Sequence, residues 1–144
     1  MSAAVNPTPA PAQKWHGPVR LRVDADLATR YRATVGDTTS PHQVRVAEAV
    51  VPVAPPFVLS LAVNRAAALI PSPPGSVHAR QRFTFLRPIQ VGADLQVRVR
   101  PAGREVRRGR THVVLEYRIT DAGGSLVATA ESRTVWAEPQ PESR

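Results

Sequence analysis

The 144-residue chain contains no cysteine, which excludes disulfides, a thiolate nucleophile and Cys-ligated metals. That absence suits a reducing compartment. Aromatic residues are scarce, at 5%, too few to interleave with basic residues as on a dedicated nucleic-acid surface. No apolar run approaches the roughly 18 residues needed to cross a bilayer. The opening MSAAVNPTPAPAQK lacks the positive and apolar regions of a secretory signal. A cytoplasmic chain with neither a membrane nor a nucleic-acid partner is therefore expected. Lysine is almost missing as well: Lys14 is the one lysine among nineteen Lys and Arg residues, and the net charge is +8. A field of this sign attracts anions, CoA phosphates and acidic carrier proteins among them. The arginines are dispersed along the chain, however, and read mostly as solvated strand and loop surface.

What is present fits one globular domain. The length allows a single core, and hydrophobic residues make up 42%, a folded composition. A Pro/Ala-rich leader is expected over 1–17, a folded domain over 18–138 and a short tail over 139–144. No repeat of 20 to 50 residues is visible.

The apolar patterning predicts the elements in turn. VRLRV (19–23) alternates as a strand with one buried face. Asp24 or Asp26 can cap a short helix, LATRYRATV, on which Leu27, Tyr31 and Val35 share a face. Gly36 suits a left-handed helix stop, which leaves DTTSPHQ as a loop. VRVAEAVVPVAPP, punctuated by proline, reads as an extended path or a short edge strand. PFVLSLAVNRAAALI (56–70) is the clearest helix, apolar nearly all round and so buried on most sides. From Val77 onward everything alternates: SVHARQRFTFLRPI, DLQVRVRP, and a hairpin of THVVLEYRIT and SLVATAESRTVWA closed by DAGG. By parity Phe83 and Phe85 share a face and His78 points the other way, to the surface. The predicted class is α+β, a curved antiparallel sheet wrapped around a central buried helix.

Three stretches carry a family resemblance across residues 19 to 137. YRATVGDTTSPH (31–42) is similar to a helix ending in Gly-Asp and a histidine-bearing loop. VAPPFVLSLA (53–62) resembles the approach to a central helix, and VHARQRFTFLRPIQVGADLQV (77–97) a strand, an Arg-Pro corner and the next strand. Together they resemble the hotdog fold and, within it, the MaoC-like hydratases and dehydratases. The resemblance implies reversible addition of water to a 2-enoyl thioester, giving an (R)-3-hydroxyacyl thioester on CoA or an acyl carrier protein. It implies no cofactor, and a homodimer or a heterodimer with a second hotdog subunit.

Such chemistry explains the parts. A carboxylate and an imidazole sharing one water can take and deliver the proton, and Asp37 and His42 keep the family's five-residue offset. The thioester oxygen gathers negative charge and calls for an N–H donor at the start of the buried helix. Pro55 and Pro56 have no N–H, so Phe57 or Val58 has to supply it. Ser60, one turn further on, either touches substrate or bonds back to its own helix.

Other readings stay open. Asp37 and His42 also fit an ordinary polar turn. The Pro-Pro approach resembles the catalytically silent subunits that bind the acyl chain for an active partner. A thioesterase or polyketide cyclase would use the same kind of activated water. No His/Asp/Glu spacing suggests a metal site. Arg104, Arg107, Arg108 and Arg110 fit a solvated hairpin tip or a phosphate contact.

Overall fold

In the computed structural model, which describes residues 13–38 and 43–138, alternation becomes strand and the continuous apolar run becomes helix. In chain order the elements are β1 (His16–Val23), α1 (Ala25–Thr34), β2 (Gln43–Val46), β3 (Ala49–Pro52), a 3₁₀ turn (Pro56–Leu59) running into α2 (Ser60–Ala67), then β4 (Val77–Phe85), β5 (Ala93–Arg107), β6 (Arg110–Thr120) and β7 (Leu126–Trp136). Five strands form one antiparallel sheet in the order β1-β5-β6-β7-β4, and β2 and β3 form a separate hairpin. The α+β class expected from the pattern is the one observed.

Side chains alternate across a strand, so each strand divides its residues between a core and an outer face. Leu21, Val23, Leu95, Val97, Val99, Leu115 and Ile119 are buried against Val58, Leu59, Ala62, Val63 and Ala66 of the 3₁₀ turn and α2. Ala62 and Ala66 are fully buried, and their small size lets the helix lie close to the sheet. The intervening positions of β1, β5 and β6 hold Arg20, Arg22, Arg98, Arg100 and Arg118. Two of these are neutralised in place. Arg22 pairs with Asp94 at 2.6 Å and Arg100 with Glu116 at 2.9 Å. Trp15 lies under the guanidinium groups of Arg100 and Arg118. The dispersed arginines are thus mainly the solvent side of a sheet, as expected. Arg107, Arg108 and Arg110 form the β5–β6 hairpin tip, with Gly109 at φ +72°.

α1 begins two residues before the predicted start. Asp24 is its cap, with Oδ1 accepting the Leu27 N–H at 2.7 Å. Asp24→Ala is expected to cost about 1 kcal/mol, measurable as a shift in urea midpoint at constant slope. Leu27 and Tyr31 pack against the core, but Val35 is exposed. Gly36 does take positive φ, at +72°.

Three features differ from the expectation. The ambiguous stretch before the central helix is a full hairpin, turned at Ala47 with φ +55°. No glycine or asparagine marks that turn in the sequence. The central helix is shorter than 56–70 and is not covered all round, since Phe57 and Leu61 lie exposed. The ordered sheet also reaches further toward the N-terminus than the VRLRV alternation indicates, starting at His16.

Candidate functional site

The start of the central helix is held by the Arg-Pro corner between β4 and β5. The Ala54 N–H donates to the Ile89 carbonyl at 2.7 Å, and the Val91 N–H to the Pro52 carbonyl at 2.9 Å. Val53 bridges Gln90 between these two bonds. Ala54 and Ile89 are buried, so the chain arrives at Pro55 along a fixed path. An apolar cleft of roughly 400 Å³ opens there, lined by Val53, Pro56, Phe85, Leu86 and Pro88 among others.

The donors at this helix start are unequal. The Val58 N–H is committed to the Pro55 carbonyl at 3.0 Å, closing the 3₁₀ turn. The Phe57 N–H has no partner among the described residues. Ser60 is half-buried, and its backbone N–H bonds to the Phe57 and Val58 carbonyls. Its hydroxyl makes no hydrogen bond among the described residues, so the back-bonded helical serine does not form. Phe57, Val58 and Ser60 are thereby brought together on one turn.

Asp37 follows the glycine that ends α1. Its own N–H closes the helix onto the Arg32 carbonyl at 2.9 Å. The carboxylate Oδ2 accepts from Arg32 Nε at 3.2 Å, with both side chains largely covered. His42 lies outside the described residues.

A second group of polar side chains was not legible in the sequence. Between His78 and Arg80 the β4–β7 register shifts by a bulge, and this overturns the parity that placed His78 away from Phe83 and Phe85. His78 pairs with Thr134 and Gln81 with Ser132, and all four line one cleft with Asn64, Ala67, Tyr117 and Trp136. Tyr117 and Ser132 are both buried, and their hydroxyls share a hydrogen bond of 2.9 Å. Burial pushes the Tyr117 phenol above its ordinary value of 10.0, partly offset by the Ser132 hydroxyl. The folded protein therefore holds this proton more tightly than the unfolded chain. Its contribution to stability is complete below about pH 10 and is lost as the pH rises toward the folded-state value. Tyr117→Phe is expected to flatten that alkaline loss in urea titrations run between about pH 8 and pH 11.

A curved five-stranded antiparallel sheet in this order, packed on one central helix, defines a hotdog-fold protein. The R-hydratase PhaJ1 from Pseudomonas aeruginosa superposes with a TM-score of 0.66 at 17% identity, over 94% of this chain and 93% of that one. An (R)-hydratase from A. caviae involved in PHA biosynthesis gives 0.65 at 21%, over 89% and 100%. A chain of the C-terminally truncated HadBC (3R-hydroxyacyl-ACP dehydratase) complex from Mycobacterium tuberculosis gives 0.65 at 20%, over 84% and 93%. No curated protein matches by sequence. The family model for the FAS1-like, dehydratase domain region matches residues 12–130. The chain belongs to that family, and its structural neighbours are MaoC-like hydratases and dehydratases. No helix among the described residues is long and apolar enough to cross a membrane.

Proposed function

We propose that this protein is a hydro-lyase acting on acyl thioesters, an (R)-specific enoyl-thioester hydratase or the corresponding dehydratase. The observation that carries the reading is the Phe57 N–H, without a partner among the described residues, at the exposed start of the central helix beside an apolar cleft. That N–H is the donor for the thioester oxygen as negative charge develops on it. Val58 serves as the buried anchor of the turn, and the unbonded Ser60 hydroxyl faces the substrate oxygen or its water. Asp37 orients and polarises that water, and His42 carries the proton to or from it. Arg32 fixes the direction of the Asp37 carboxylate.

The substrate arrives on CoA or on an acyl carrier protein, in the cytoplasm. The working unit is a homodimer, or a heterodimer with a second hotdog chain. Phe57, Leu61, Phe85 and Leu86 leave an exposed apolar strip beside the edge strand β4, and a partner covering it would remove that strip from water.

One observation favours a second reading, a silent subunit that shapes the acyl site for an active partner. Pro55 and Pro56 remove two N–H groups from the helix approach, leaving one donor where two would hold the oxygen better. The test is hydration of crotonyl-CoA and of a longer 2-enoyl-CoA by the purified protein alone, followed at the enoyl absorbance. Turnover on either supports the enzyme. A folded protein inert on both, which regains activity with a second hotdog chain, is the silent subunit.

A further inference from the structure

The face of the central helix that carries Phe57 and Ser60 continues through Asn64 and Ala67, since three- and four-residue steps stay on one side. This face runs beside β4, and the contacts pair off along it. Phe57 packs edge-on against Phe83 and Phe85, with ring centroids at 5.8 and 5.9 Å. Asn64 and Ala67 share their cleft with Gln81 and His78. A seam between helix and edge strand is therefore aromatic at the helix start and polar further along. Seven residues at about 1.5 Å each put roughly 10 Å between Phe57 and Asn64.

The polar end has an unsatisfied donor. Two hydroxyls hold two protons, and the Tyr117–Ser132 bond uses one of them. Neither hydroxyl makes another hydrogen bond among the described residues, so one buried O–H is left to donate into the cleft. A buried donor of this kind needs an acceptor. The polar side chains around it are amides, hydroxyls and His78, with no Lys or Arg among the lining residues, which suits an uncharged oxygen better than a carboxylate or phosphate. The cleft has room for about 60 Å³, enough for one small functional group. The β4 bulge places His78, still exposed, at the rim of the same cleft.

Building on the acyl-thioester reading, we infer that this cleft is a second subsite, taking a keto or hydroxyl oxygen carried on the acyl chain away from the thioester. The substrate class is then an oxygenated chain of the polyketide kind in preference to a plain fatty acyl chain. The chain passes Phe57, Phe83 and Phe85 and presents its oxygen to the Tyr117–Ser132 pair.

The test is calorimetric binding of saturated acyl-CoA thioesters to the full-length protein. One set is unsubstituted; its length-matched set carries a keto group stepped from the fifth to the eleventh carbon. One position is expected to bind about five- to ten-fold more tightly than its unsubstituted match, the gain of one hydrogen bond. Tyr117→Phe should abolish that preference while leaving affinity for the unsubstituted thioester unchanged. Ser132→Ala serves as the second variant if the first does not fold. Equal binding of both sets at every position, or a preference that survives both variants, overturns the subsite and leaves the thioester reading standing. Failure of both sets to bind, as CoA thioesters and on an acyl carrier protein alike, overturns the subsite and the thioester reading together.

Discussion

Asp37→Asn is expected to lower the rate of crotonyl-CoA hydration by about two orders of magnitude or more, with His42→Ala producing a loss of similar size. Positioned acid–base groups contribute roughly 10²- to 10⁴-fold to a proton transfer. The amide keeps the shape of the carboxylate but cannot hold the negative charge that polarises water. The loss should fall on kcat more than on KM, because the missing interaction belongs to the transition state. Folding is the necessary control. Asp37→Asn also weakens the pair with Arg32, whose side chains are largely covered, so the melting temperature of the variant must be measured beside its rate. A melting temperature close to wild type beside a large loss of rate therefore assigns the effect to chemistry. An unchanged rate in either variant would remove that residue from the mechanism and make the loop the polar turn that its composition also allows.

The second large effect concerns stability. Leu59 is fully buried between the 3₁₀ turn and the sheet, while Leu61 is 37% exposed. Leu59→Ala should cost about 3 kcal/mol, the lost transfer energy plus the cavity left behind, and lower the melting temperature by roughly 10 °C. The effect should not depend on protein concentration. Leu61→Ala in an isolated chain should change stability by less than about 1 kcal/mol. If a second hotdog chain covers this strip, the Leu61 effect grows and becomes concentration-dependent, since association stabilises the folded state by mass action. Thermal melts across a hundred-fold concentration range, run on both variants, separate the two cases. A Leu61→Ala melt that is independent of concentration and close to wild type would place the partner surface elsewhere.

The pattern of residues carried far in the sheet and less far before it. Long alternating runs such as DLQVRVRP have one periodicity that satisfies both faces, so β5, β6 and β7 follow almost directly from it. The β2–β3 hairpin was not legible because its turn uses Ala47 at positive φ, where the usual glycine or asparagine signal is missing. The helix start was legible only as a place. Which N–H remains available there depends on the 3₁₀ turn that commits Val58 to Pro55, and a tight turn and an α-helical turn share one sequence pattern. His78 is exposed as expected, but its face was misread because parity counting assumes an unbroken ladder. One extra residue at a bulge reverses the face of everything on its far side.

The class of fold, the family resemblance and the chemistry within reach could be read from the residues alone: no thiol, no lysine-rich surface, one Asp and one His five positions apart. These are properties of composition and local spacing, and they survive without knowledge of long-range contacts. Tertiary structure alone decided that Tyr117 meets Ser132 and that His78 and Gln81 face Asn64. It also decided that the helix leaves Phe57 and Leu61 uncovered. Each of those depends on register between strands or on packing between elements distant in sequence. Register is set by the summed burial of whole faces, and no single stretch of residues records it.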